Sequence, residues 1–165
     1  MIASTRSCLT DLRRSSERKL EILKLLESTK FPVSTYRVIA SKSGKCQTIT
    51  FGKTGLASRT WNSVHNKRSP ELYKLLVEFA DELDPNFEYT SITINKNFKS
   101  YPHYDIRNAG QSMIIALGSY TGGELVVEGI PVDIRTKFYF NGSLEKHWTN
   151  DFIGERYSII YFTRT

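Results

Sequence analysis

Three histidines occur in this chain of 165 residues, His65, His103 and His147. Two of them stand in a pattern with chemical meaning. In His103-Tyr104-Asp105 the imidazole and the carboxylate are two residues apart, so in an extended segment both point to one side. His147 follows 42 residues beyond Asp105. Two imidazoles and one carboxylate on adjacent corners of a metal leave the opposite corners open. That facial arrangement lets non-haem iron(II) take up a co-substrate and dioxygen together. Nine residues past His147 come Arg156 and then Ser158. A guanidinium can fork onto a carboxylate with two parallel hydrogen bonds, and a nearby hydroxyl adds a third, which is what anchoring a dicarboxylate requires. A His-x-Asp alone is common, and surface histidines with an ion-paired arginine are the alternative reading. The whole set is what points to chemistry. His65 stands outside it.

The elements that must position these residues change character along the chain. A helix is expected over Leu9–Ser28, with Leu20, Leu23, Leu25 and Leu26 as its apolar side and Thr10-Asp11 as its cap. Strands over Thr35–Ala40 and Gln47–Phe51, joined by a turn at Gly44, read as a hairpin. Gly52–Pro70 reads as a long polar segment. Ser69-Pro70-Glu71 opens a second helix running to Leu83, with Leu72, Leu75, Leu76 and Phe79 on one face. After Phe87 only short strands are expected: Tyr89–Asn95, Ser112–Leu117, Glu124–Val127, Val132–Ile134, Lys137–Phe140 and Arg156–Thr163. Short strands between Gly, Asn and Asp turns imply a sandwich or barrel. Residues 1–86 thus supply helices and a hairpin, and 87–165 a β core, within one domain.

Period-two alternation gives two of these strands a direction. Ile92 and Ile94 share a face that suits packing under the helices. Ser91, Thr93 and Asn95 share the other, which suits a wet cavity and makes Asn95 a cofactor-binding candidate. In the last strand Arg156, Ser158, Ile160 and Phe162 share a face, polar at the mouth and apolar beyond.

Composition narrows the class. No apolar run reaches the roughly 18 residues that a membrane span needs, and no secretory signal is evident, so a soluble intracellular protein without a membrane partner is expected. Cys8 and Cys46 have no metal-ligand or disulfide spacing and read as free thiols. The net charge of +6 is uneven. Met1–Arg68 holds 14 Lys and Arg against four Asp and Glu, and Ser69–Thr165 nine against 13. An anionic partner for the first part is one reading, and a solvated basic face the other.

The constellation His103-x-Asp105, His147 and Arg156-x-Ser158 resembles that of the 2-oxoglutarate/iron(II) oxygenases. The resemblance covers about Tyr89–Phe162. It implies a mainly β double-stranded β-helix, a jelly roll of the cupin kind, with flanking helices such as the one ending at Leu83. It implies iron(II) held by His103, Asp105 and His147, and 2-oxoglutarate held on the iron with its far carboxylate on Arg156. Dioxygen would then convert 2-oxoglutarate to succinate and carbon dioxide while a nearby C–H bond is hydroxylated. More narrowly, His103-Tyr-Asp105-Ile-Arg-Asn108 is similar to the His-x-Asp-Ile-x-Asn run of the TET/JBP group, which oxidises the 5-methyl of pyrimidines in DNA. Ser91–Asn97, Leu117–Leu125 and the Gly154-Glu-Arg156-Tyr-Ser158 ending resemble runs of that group too. The resemblance makes Asn108 a candidate base contact.

A methylated pyrimidine in DNA or other nucleic acid is therefore the first substrate reading. Arg107 and Asn108 would face the base, and Arg59 and Trp61 would hold the backbone or fill a gap. Trp61 as a packing residue is the alternative. A prolyl or other side-chain hydroxylase on the same core is the second reading, marked by a groove without positive potential. A non-catalytic jelly-roll module is the third, and would require an incomplete ligand set.

Overall fold

The computed structural model describes residues 3–34, 45–56 and 59–165. The strand expected over Thr35–Ala40 and the turn at Gly44 lie outside these residues. The first helix, α1 (Ala3–Ser28), starts earlier than expected, so Thr10 and Asp11 lie inside it and not at its cap. Among its described side chains the i,i+4 pair Ile22 and Leu26 is buried, whereas Leu20 is 58% exposed. One pair of apolar positions is a narrow stripe, and ionic contacts supplement it. Arg18 lies 2.9 Å from Glu78 and 3.1 Å from Glu82 across the helix interface.

Those acids belong to the main buttressing helix, α3 (Pro70–Leu83), which follows a single turn, α2 (His65–Arg68). Proline fits the first turn of α3 because its missing N–H is one that a helix start leaves unpaired. Ser69 makes no side-chain capping bond. Leu72, Leu76, Phe79 and Ala80 are buried, a stripe at i, i+4, i+7 and i+8.

Strands β1 (Val33–Ser34), β2 (Cys46–Leu56), β4 (Ser91–Lys96), β10 (Phe152–Arg164), β5 (Asn108–Gly122) and β8 (Phe138–Phe140) form the major sheet in that spatial order, with β3 (Arg59–Asn62) paired to β2. A minor sheet runs β7 (Ile130–Val132), β6 (Leu125–Val127), β9 (His147–Thr149). The pairings within both are antiparallel. Gly52–Pro70 is therefore not a plain loop. It folds back as β3, with Lys53 opposite Asn62 and Thr54 opposite Trp61, and then forms α2. All four β3 residues are exposed, so no apolar alternation marks the strand in the sequence.

The alternation of the sheet divides the interior into two cores. On the helix side, Ile49, Phe51, Ile92, Ile94, Met113, Ile115, Ile159 and Tyr161 meet α1 and α3. Between the sheets, Ile114, Ala116, Leu125, Val127, Ile134 and Phe140 pack together. The buried Tyr161 hydroxyl donates to the carbonyl of Leu76 at 2.7 Å, tying β10 to α3. Tyr161→Phe should cost about 1 kcal/mol, the usual net worth of such a bond, read as a lower urea midpoint with an unchanged slope.

Candidate active site

The polar edges of the two sheets face a cavity of about 270 Å³. Its chemistry begins where β4 ends. Asn97 takes a left-handed φ of 49° and turns the chain. Its amide donates to the Arg156 carbonyl, and its side-chain oxygen accepts from the Arg156 amide, both at 2.8 Å. The segment after it then runs along β9. The buried hydroxyls of Ser100 and Thr149 meet at 3.0 Å. His103 and His147 exchange both backbone hydrogen bonds at 3.1 Å, so the two imidazoles emerge side by side. Their ring centroids are 4.3 Å apart. β9 was not among the expected strands, since its His-Trp-Thr lacks the apolar run of the equally short β6 and β8.

Asp105 completes the set. Its amide donates to the Gly142 carbonyl at 2.7 Å. Its carboxylate oxygens lie 3.6 Å from His103 Nε2 and 3.3 Å from His147 Nε2. The ligand atoms of all three residues fall within 4.8 Å of one another, the spacing of groups that share one metal ion. Both rings are aimed by their other nitrogen. Nδ1 of His103 lies 2.6 Å from the Tyr101 carbonyl, and Nδ1 of His147 lies 2.9 Å from that of Glu145. A carbonyl only accepts, so each Nδ1 carries the proton and each Nε2 keeps its lone pair for a metal. Burial pushes the Asp105 carboxyl up, but in the metal-free site the two imidazoles, when protonated at Nε2 as well, outweigh it through hydrogen bonds and charge and hold the group well below the usual carboxylate range. The donor set is two imidazoles and one carboxylate, which suits iron(II).

Gly142 gave no signal in the sequence. A Cβ there would come 3.1 Å from Asp105 Oδ2. Gly142→Ala should therefore turn the carboxylate and weaken iron binding on the order of tenfold, as disturbing a ligand's supports commonly does. Titration of the metal-free protein with iron(II) under nitrogen measures it.

At the other end of the cavity Arg156 is among the most buried side chains, 2% exposed. Its guanidinium sits between the rings of Phe152 and Tyr120, 5.5 and 5.6 Å from their centroids, and donates to the Gly123 carbonyl at 3.0 Å. Gly123, at φ +72°, leaves room for it, because a Cβ would approach Nε to 2.9 Å. Burial pushes the Arg156 pKa below its ordinary value. No carboxylate lies within ion-pair distance of it among the described residues, and its buried Nε has no hydrogen-bond partner. A desolvated cation that lines a cavity fits an anionic ligand. Ser158 and Asn95 line the same wall, with Asn95 Nδ2 3.5 Å from Ser158 Oγ.

Of the residues singled out in the sequence, His103, Asp105, His147, Arg156, Ser158, Asn95, Arg107 and Asn108 all line this cavity. Trp61 and Arg59 do not; both lie exposed on β3. His65 packs edge-on against Phe51 with centroids 6.4 Å apart. Thr93, Ser100, Thr149 and Arg164 line the cavity and were not singled out as site residues.

No family model matches this chain, and no curated protein does. Solved structures do. One is NgTET1 in complex with 5mC DNA, 16% identical, with a TM-score of 0.56 over 72% of this chain. The chain spans 61% of that protein's length. Another is an oxidoreductase of the 2OG-Fe(II) oxygenase family from Burkholderia pseudomallei, 18% identical, with a TM-score of 0.57 over 87% of this chain and 76% of that one. The fold is the jelly roll of the 2-oxoglutarate/iron(II) oxygenases. Within that fold, among the described residues, no helix is long and apolar enough to cross a membrane.

Proposed function

We propose that the protein is an iron(II)- and 2-oxoglutarate-dependent oxygenase acting on the 5-methyl group of a pyrimidine in nucleic acid. One observation carries the activity: a facial His-Asp-His set, its imidazoles turned by backbone carbonyls, shares a cavity with a buried arginine whose Nε lacks a partner. His103, Asp105 and His147 would hold iron. Arg156 and Ser158 would hold the far carboxylate of 2-oxoglutarate, with Asn95 beside them. Together the bound iron and 2-oxoglutarate supply the oxidation of a C–H bond by dioxygen, with release of succinate and carbon dioxide.

The substrate reading rests on Asn108. It begins β5, its amide donates to the Asp105 carbonyl at 2.9 Å, and it lines the cavity beside the ligand set. A carboxamide offers one acceptor and two donors, which suits the edge of a base. Such a base must leave a duplex or come from a single strand to reach it. The similar structure of NgTET1 with 5mC DNA supports the same direction. The test is succinate formation by iron-loaded protein with 2-oxoglutarate, with and without DNA containing 5-methylcytosine. Stimulation by the methylated DNA alone, with hydroxymethylcytosine in the digest, is the expected result. Turnover stimulated by a peptide and not by nucleic acid would replace this substrate with a protein side chain.

A further inference from the structure

The strand that carries Arg156 carries a second arginine on the same face. Arg156, Ser158, Ile160, Phe162 and Arg164 alternate along β10, and all five line the cavity. Arg156 and Arg164 are eight residues apart, roughly 26 Å at a strand's rise. A five-carbon diacid is far too short to engage both. Arg164 pairs across the sheet with Asn108, which puts the two side chains on one face as direct neighbours. Arg107 is held to the same corner, its carbonyl accepting from the amide of Thr165 at 3.0 Å.

Charge makes the far end distinct. Among the described residues that line the cavity, Asp105 is the one carboxylate, against Arg107, Arg156 and Arg164. With iron(II) and 2-oxoglutarate in place, Asp105 and the two co-substrate carboxylates carry three negative charges. Iron and Arg156 carry three positive ones. Arg107 and Arg164 lie at the end away from the co-substrate arginine, with Arg164 opposite Asn108. Arg164 is also fixed in place, since its Nη2 donates to the Gly55 carbonyl at 2.5 Å. That bond ties the end of β10 to β2. A guanidinium has five N–H donors, so one such bond orients the group without exhausting it.

We infer that Arg164, with Arg107, forms a second anion site that binds the phosphates flanking the target nucleotide while Asn108 meets its base. This rests on the nucleic-acid reading above and names how the strand is held. The phosphate contacts set position and salt dependence, and the base contact sets selectivity.

The experiment measures binding without turnover. Protein loaded with iron(II) and 2-oxoglutarate under nitrogen is titrated into a fluorescein-labelled single-stranded oligonucleotide containing one 5-methylcytosine. Anisotropy is read from 50 to 200 mM salt, and 2-oxoglutarate affinity by calorimetry. For Arg164→Gln, binding should weaken on the order of tenfold. The slope of log affinity against log salt should flatten by about 0.7, and by about 1.4 in the double variant with Arg107→Gln. Arg164→Lys should keep the slope, and 2-oxoglutarate affinity should not change in any of them. Should Arg164→Gln fail to fold, Arg107→Gln alone carries the test, because Arg107 is exposed. Wild-type binding with the same slope in every variant overturns the second site and leaves the substrate reading standing. No binding by the wild type, with arginine-dependent capture of an acidic peptide instead, overturns both.

Discussion

Asp105→Ala protein is expected to retain no stoichiometric iron and to form no succinate, while its metal-free form melts close to the wild type. The two halves of that expectation have separate causes. Asp105 supplies the one negative charge of the ligand set and touches both imidazoles, at 3.6 and 3.3 Å. Changes one shell away from a metal already cost 10–100-fold in affinity, so loss of a ligand should exceed a hundredfold. The same carboxylate is only a modest source of folding energy: a carboxyl held below its usual range favours the native state, but the side chain is partly exposed, which screens the gain. Its partners are imidazoles whose Nδ1–H bonds to Tyr101 and Glu145 do not depend on it. Added iron should therefore raise the melting temperature of the wild type, through binding to the native state alone, and leave that of Asp105→Ala where it was. His103→Ala should behave likewise. Iron-dependent stabilisation persisting in either variant would sink the metal assignment. A collapse of the metal-free variant would instead make the cluster a structural network.

How much of this was legible in the sequence follows from what each residue needs in order to show. The wall of the cavity was legible because alternation is local. Ile92 and Ile94 against Thr93 and Asn95, and Arg156, Ser158, Ile160 and Phe162 on β10, occupy the faces that a period of two assigns them. The stripe on α3 was legible for the same reason at a period of 3.6. Helix α1 was read less well, because its apolar residues outnumber those it buries. Leu9, Leu12 and Leu20 stay exposed, and nothing within the helix distinguishes them from Ile22 and Leu26. Strand β3 was hidden because all its side chains face outward, and β9 because its His-Trp-Thr lacks the apolar run that marks the equally short β6 and β8.

Gly142, Gly123 and Arg164 were hidden for another reason. Each matters through a contact made across the fold, with Asp105, Arg156 and Gly55 in turn. Local pattern does not encode such contacts. The alternation of β10 could have flagged Arg164, since it continues Arg156 and Ser158 on one face. It was passed over because the expected strand stopped at Thr163, one residue short. The charge imbalance was read too broadly for the same kind of reason. Part of the basic surplus of α1 is answered by acids of α3 through Arg18, whereas the arginines that line the cavity sit on β10 and beside β5.

Arg156→Met should lose 2-oxoglutarate binding while folding at least as well as the wild type. In most proteins removing a buried arginine is costly because a buried carboxylate is left behind. Here no such carboxylate stands within ion-pair distance among the described residues, and Nε already goes unbonded. The free protein therefore bears the desolvation of a cation that one carbonyl and two rings offset only in part. Methionine fills much of the space between Tyr120 and Phe152 without the charge, so the urea midpoint should hold or rise. Removing one partner of a buried, hydrogen-bonded charge pair costs about 2–5 kcal/mol in binding, which is roughly 30- to several-thousand-fold in 2-oxoglutarate affinity. Arg156→Lys should recover little of it, because an ammonium cannot present two parallel donors from between two rings. Calorimetric titration of 2-oxoglutarate into the iron-loaded variants, beside their urea melts, separates the two effects. Unchanged affinity in Arg156→Met would move the carboxylate site elsewhere. A large loss of stability with it would mean that the guanidinium is a structural part of the wall, held by the Gly123 carbonyl and the rings rather than kept for a ligand.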